Sequence, residues 1–196
     1  MALTRLEGGA HSPVGGSQIA RLALCPGSRR KAADAPPQST SLYAAEGTAV
    51  HQVIENCLAR GKGGRWKEEP EDYLDHVFEI DSYQIPITEH NVSAARLMVY
   101  LVRRLAKPKA ARLYVEQKFK LSSVDDEAYG TADAVVWNEN EQVLYVLDYK
   151  NGQKKVHVEQ NHQLAFYACG VAEKLGVFPA EVRMVIVQPN IGGDPV

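Results

Sequence analysis

Residues 131–150 read TADAVVWNENEQVLYVLDYK. Two runs rich in β-branched and aromatic residues, Thr131–Trp137 and Gln142–Tyr149, flank the polar tetrapeptide Asn138–Glu141. That is the pattern of two antiparallel strands and their turn. With Asn138–Glu141 as the loop, Trp137 pairs with Gln142 and Asp133 lies opposite Val146. Side chains alternate across a strand, so Asp148 and Lys150 share the face of Val146 and hence of Asp133. Two carboxylates and an ammonium therefore converge on one side of an otherwise apolar hairpin. Charged groups are seldom buried unless paired or bound to metal. Close carboxylates repel unless a cation lies between them, and a hard divalent ion suits oxygen ligands. A plainer arrangement uses the same residues: strand-end charges facing solvent, with Lys150 neutralising Asp148.

Working outward, Leu113, Val115, Gln117 and Phe119 alternate with polar residues, an imperfect period of two that predicts a strand over Leu113–Leu121. Val182–Gln188 is a largely apolar run between Pro179 and Pro189, which predicts a buried strand. The remaining periodicity is helical. Val50, Val53, Ile54, Cys57 and Leu58 mark one stripe of a helix over Tyr43–Arg60, with Gly61 as its expected cap. Thr88 caps a helix over Glu89–Ala106. A further helix is expected over Glu159–Leu175, and a short one over Gln18–Leu24. Residues 31–40 and 60–72 read as loops. The order predicts an α/β fold, a mixed central β-sheet flanked by helices. One domain is expected over 1–196: a helical segment to about 60, an insertion with a helix over 61–110, and a core over 111–190.

The composition is that of a soluble globular chain. Its 196 residues are 45% hydrophobic and 23% charged, with net charge −2, which excludes a basic coat over the whole surface. The charge is segregated, at +3 over residues 1–45, −6 over 46–90, +7 over 91–123 and −6 over 124–196. Such runs serve either as solvated faces or as a phosphate-binding surface beside an acidic metal site. No apolar run nears the roughly 20 residues of a membrane span, and the first residues lack a signal peptide's apolar stretch. Three scattered cysteines, Cys25, Cys57 and Cys169, form no disulfide framework, so a reducing cytoplasm is expected.

Other signals accompany the hairpin acids, one before them in the chain and one after. His51 sits one position off the apolar stripe of its helix, where a histidine is either a core residue or a ligand facing the sheet. Gln163 and Tyr167 are four apart and share a helix face, with Gln160 one turn earlier. Gly47-x-x-x-His51, Gly130-x-x-Asp133, Asp148-x-Lys150 and Gln163-x-x-x-Tyr167 together resemble the PD-(D/E)XK nuclease superfamily, in its RecB-like exonuclease branch of the QxxxY type. With ARLALCPGSRR, AAEGTAVH, DYKNG and VIVQP added, the chain is most similar to a phage and prophage family of uncharacterised RecB-like proteins, domain of unknown function 2800. Two departures stand out. Thr-Ala, not Pro-Asp, leads into Asp133, and the trailing cysteines of related chains are missing. Three cysteines in one chain cannot make a four-cysteine iron–sulfur cluster, so none is expected here, and the chain is expected to be a fragment or a member without that tail.

The resemblance implies a restriction-endonuclease-like core and hydrolysis of DNA phosphodiesters with Mg²⁺ or Mn²⁺. Asp133, Asp148, His51 and the Tyr149 backbone carbonyl would be the ligands, and Lys150 would position the water or stabilise the developing charge. Gln163 and Tyr167 would hold the substrate or the lysine. Glu116 takes the place of an accompanying strand acid, and with Glu46 it stands in should His51 point into the core. Arg103, Arg104, Lys107 and Lys109 would bind backbone phosphates. DNA is the expected partner, together with a phage recombination or replication protein, in the cytoplasm of a bacterium or infected host. Two rivals stand beside this reading: a nuclease fold that binds DNA or protein without cutting it, and a module that binds Ca²⁺ alone. The lysine beside Asp148 counts against the latter.

Overall fold

The computed structural model describes residues 3–6, 12, 14–34, 39–61 and 64–191. Parts of the two expected loops, 35–38 and 62–63, and the tail 192–196 lie outside them. Four strands form the main sheet in the order β4 (Ala111–Lys120), β5 (Tyr129–Asn138), β6 (Val143–Tyr149) and β7 (Glu181–Val187). The first three are antiparallel. β7 joins β6 in parallel, after a crossover through helix α5 (His162–Leu175). The fold is therefore mixed α/β with helices on both faces of the sheet, as the periodicities predict.

Alternation along the strands sorts two cores. Ala134, Val136, Leu147 and Tyr149 face α3 (Leu42–Leu58) and α4 (Glu89–Leu105). Val135, Trp137, Leu144 and Val146 face α5, with α1 (Gly16–Leu24) packed on α5. The predicted stripe of α3 is buried from Val50 to Leu58. α5 approaches β4 so closely that a Cβ at Gly170 would clash with the edge of the Phe119 ring.

Several boundaries differ from expectation for local reasons. α3 ends at Ala59 in extended backbone, and Gly61 instead closes a loop by donating to the Arg65 carbonyl at 2.8 Å. α5 starts at the Asn161 cap, whose side chain accepts from Leu164 N–H at 3.0 Å. Gln160 is thus left outside the helix in the left-handed region (φ 54°). Ser28–Ala33 forms a short helix, α2, running into the expected loop. Within the segment read as an insertion, β2 (Val77–Ile80) and β3 (Tyr83–Pro86) make a hairpin, with β1 (Leu3–Leu6) parallel to β2. No helix among the described residues is long and apolar enough to cross a membrane.

Candidate functional site

The hairpin loop lies one residue further along than the sequence reading has it, which shifts the pairing register by two. Asn138 pairs with Val143 and Trp137 with Leu144, so Glu139–Gln142 is the loop, and Gln142 takes a left-handed φ of 54°. One step beyond the last pair, Ala134 with Leu147, the register sets Asp133 opposite Asp148 rather than Val146. A shift of two preserves the faces. On the other side of β5 the ladder skips one position: Val115 pairs with Ala134 and Gln117 with Ala132, which sets Glu116 opposite Asp133. Glu116, Asp133 and Asp148 therefore form a row across three adjacent strands.

The backbone yields along this row. Glu116 adopts φ 46°, a costly conformation for a non-glycine residue. Tyr149 N–H donates to Asp133 Oδ2 at 2.7 Å, a side chain replacing a ladder carbonyl. The N–H and C=O of one strand residue leave by the same edge, so the Tyr149 carbonyl lies on the edge that Asp133 occupies. The Tyr149 ring is buried on the opposite face, where its hydroxyl donates to Asn151 Oδ1 at 3.0 Å.

His51 reaches the row from α3. Its Nδ1 is 3.6 Å from Asp133 Oδ2, and its ring meets Tyr149 edge-on at 5.2 Å. It is partly exposed and lines a cleft of about 780 Å³, so it is not a core histidine. Ligand atoms of His51, Glu116 and Asp133 all lie within 4.8 Å of one another, the one such set among the described residues. Asp148 stands at the next position, buried, with Lys150 Nζ 2.8 Å from Oδ2 and 3.1 Å from Oδ1. Gln163 Nε2 donates to Tyr167 Oη at 2.6 Å and lies 3.5 Å from Asp148 Oδ1. Lys150, Gln163 and Tyr167 thus meet the row from the α5 side.

Burial and mutual repulsion show in the acidities. Burial, then the charges of Asp133, Glu55 and Asp148, push the Glu116 carboxyl up to about 8. Burial and Asp133 push Asp148 up to about 6, against the opposing pull of Lys150 and His51. Burial holds the Tyr167 phenol well above its usual range, so it stays protonated as a hydrogen-bonding group. One imidazole and two carboxylates that resist joint ionisation are a donor set that a divalent cation fits.

Other nominated residues lie elsewhere. Glu46 accepts from Asn91 Nδ2 at 2.9 Å, behind the helix cap, and is not in the cleft. Gln160 is exposed and outside the helix turn it was expected to share with Gln163. Arg103 is a structural clasp. It donates to Glu69 Oε1 at 2.7 Å and to the Cys57 and Glu68 carbonyls at 2.9 and 2.8 Å, and lies 4.9 Å over Trp66. Arg104 and Lys107 line a second, shallower cleft beside Tyr100, and Lys109 is exposed beyond the helix. None of the four lines the acidic cleft, whose cation is Lys118, set 5.1 Å over the Tyr129 ring. Sequence reasoning missed Lys118 and Glu55. The signals were there: Lys118 is two residues along the strand from Glu116, and Glu55 is one helical turn from His51.

The family model described as Protein of unknown function (DUF2800) matches residues 11–194. That span covers almost the whole chain and every residue of the acidic row, and the chain belongs to this family.

Proposed function

We propose that the chain is a divalent-metal-dependent deoxyribonuclease, a phosphodiester hydrolase of the PD-(D/E)XK superfamily in its RecB-like branch. The mixed sheet flanked by helices is compatible with a restriction-endonuclease-like core. The observation that carries the reading is the gathering of His51, Glu116 and Asp133 within 4.8 Å, beside the Asp148–Lys150 pair at 2.8 Å. His51, Glu116 and Asp133 would hold the ion, with Asp148 and the Tyr149 carbonyl as adjoining ligands. Bound Mg²⁺ or Mn²⁺ supplies Lewis acidity toward the scissile phosphate and its water, and the imidazole tilts the choice toward Mn²⁺. Lys150 places one positive charge where the phosphoryl group gains negative charge. Gln163 and Tyr167 hold the Asp148–Lys150 pair from the α5 side. Arg104, Lys107 and Lys109 bind backbone phosphates away from the cleft, which gives affinity without sequence readout.

The specific role we assign is an exonuclease of phage recombination or replication, working in the bacterial or infected-cell cytoplasm with a phage-encoded partner. Digestion of end-labelled linear and circular DNA with Mg²⁺ or Mn²⁺ tests it. An exonuclease shortens the linear form alone, and an endonuclease cuts both. DNA bound but uncut under every condition would instead make the chain a binding module.

A further inference from the structure

The motif VIVQP, residues 185–189, lies outside the cleft and has no part in the chemistry above. Its polar residue is nonetheless buried: Gln188 is 7% exposed. Every hydrogen bond of its side chain goes to one loop. Oε1 accepts from Val156 N–H at 3.0 Å, while Nε2 donates to the Lys154 carbonyl at 2.8 Å and to the Gly152 carbonyl. That loop begins immediately after Lys150, where β6 leaves the sheet. Lys150 N–H itself donates to the Val187 carbonyl at 2.9 Å, the residue before Gln188. A second clamp holds the next residue: the Asn151 carbonyl accepts from Tyr43 Oη at 2.7 Å and from Asn190 Nδ2 at 2.9 Å. The Lys150 side chain is 28% exposed and is held at its tip through the buried Asp148. The direction in which it leaves the sheet is set by the backbone on either side of it.

We propose that Gln188 is a positioning residue for Lys150, its amide fixing the 152–156 loop so that the lysine stays aimed at the acidic row. The proposal rests on the nuclease reading for its consequence, but its geometry is measurable without catalysis. An apolar residue of the same length would fill the space, leaving the Gly152 and Lys154 carbonyls and the Val156 N–H without partners. A loop so freed opens locally and lets Lys150 swing away from Asp148.

Gln188→Met and Gln188→Glu test this, the latter keeping the acceptor for Val156 and losing both donors. Acetylation of the full chain by a limiting reagent, read peptide by peptide, gives the Lys150 rate relative to Lys31, far away in the sequence. Gln188→Met and Gln188→Glu are each expected to raise that ratio several-fold under conditions where all three proteins are fully folded. With Mn²⁺ and linear DNA, kcat is expected to fall about 10²-fold, as for a displaced catalytic group, with KM unchanged. An unchanged Lys150 ratio in both folded variants overturns the proposal. So does a loss confined to thermal stability, which makes Gln188 structural only. If Gln188→Met does not fold, Gln188→Glu carries the same decision. Wild-type protein that cuts no DNA overturns the nuclease reading, while the acetylation ratio still decides the positioning role.

Discussion

Glu116→Gln removes one ionisable group from the acidic row at almost no change in volume, and its effect on stability has a definite sign. Burial and the charges of Asp133, Glu55 and Asp148 raise the folded-state carboxyl from 4.5 to about 8. Below about pH 4.5 the group is protonated whether the chain is folded or unfolded, and it contributes nothing. Between there and about pH 8 the unfolded chain has lost the proton and the folded chain keeps it, so stability falls as pH rises through this window. The displacement amounts to ~5 kcal/mol at 1.36 kcal/mol per pH unit. The side chain is partly exposed, and solvent screening reduces the expected effect to about 2–3 kcal/mol. Urea unfolding without divalent ions, followed by tryptophan fluorescence, measures it at about pH 5 and pH 8. Wild type should lose about 2–3 kcal/mol more than Glu116→Gln between the two. Asp148 adds a fall between its ordinary range and about 6, common to both proteins. A cation that neutralises the row should stabilise wild type more at about pH 8 than at pH 5. Parallel pH dependences for the two proteins would refute the electrostatic account of the row.

Lys150→Ala should lower cleavage about 10²–10³-fold while leaving calorimetric Mn²⁺ binding intact; a variant that cuts at the wild-type rate reduces Lys150 to a partner that neutralises Asp148. Asp133→Ala should weaken Mn²⁺ binding itself, since it removes the carboxylate closest to His51. Gly170→Ala should cost about 1–3 kcal/mol in thermal or urea unfolding, because its Cβ meets the Phe119 ring. Charge reversal of Arg104, Lys107 and Lys109 should reduce the salt dependence of DNA affinity by about 0.9 in log–log slope per lost phosphate contact. Arg103→Ala should instead destabilise the fold by about 2–4 kcal/mol, through the stranded Glu69, Cys57 and Glu68 acceptors, with little change in that slope.

What could be read from the sequence was whatever local periodicity determines. The apolar stripe of α3 and the β-rich runs of β5, β6 and β7 mark these elements, so they and the shared face of Asp133 and Asp148 were legible; β7, expected buried, is instead an edge strand exposed over Glu181–Arg183. The hairpin register was not, because the loop lies one residue further along, with Gln142 in the left-handed region, and this leaves no compositional mark. The four-residue strands β2 and β3 are too short for period two to stand out, although Phe78, Ile80 and Ile85 are buried as it requires. Partners distant in sequence were equally hidden. Arg103 reads as a free cation until Glu69 and Trp66, more than thirty residues earlier, close on it. Glu46 reads as a spare ligand until Asn91 takes it.

The row of acids is where local preferences and the fold disagree, and the disagreement is confined to one cleft. Sheet positions flanked by Ala132, Ala134 and Leu147 would be more stable with apolar side chains. Instead the sheet omits the ladder pair between Glu116 and Asp133, holds Glu116 at φ 46°, and sets a third carboxylate beside them. A strained non-glycine φ costs on the order of 1–3 kcal/mol, and each buried carboxylate adds an ionisation penalty. Some of this is recovered inside the protein, through Lys150 on Asp148 and Tyr149 N–H on Asp133. Among the described residues Glu116 has no such partner, and it carries the larger rise of the two shifted carboxyls, to about 8 against about 6. Ionisation of Glu116 is therefore the least compensated in the row, on the side toward His51 and the cleft, and a cation drawn from solvent would favour it. On the proposed metal-site reading, that directionality is what distinguishes the row from a stabilising ion-pair network, whose charges would close on one another.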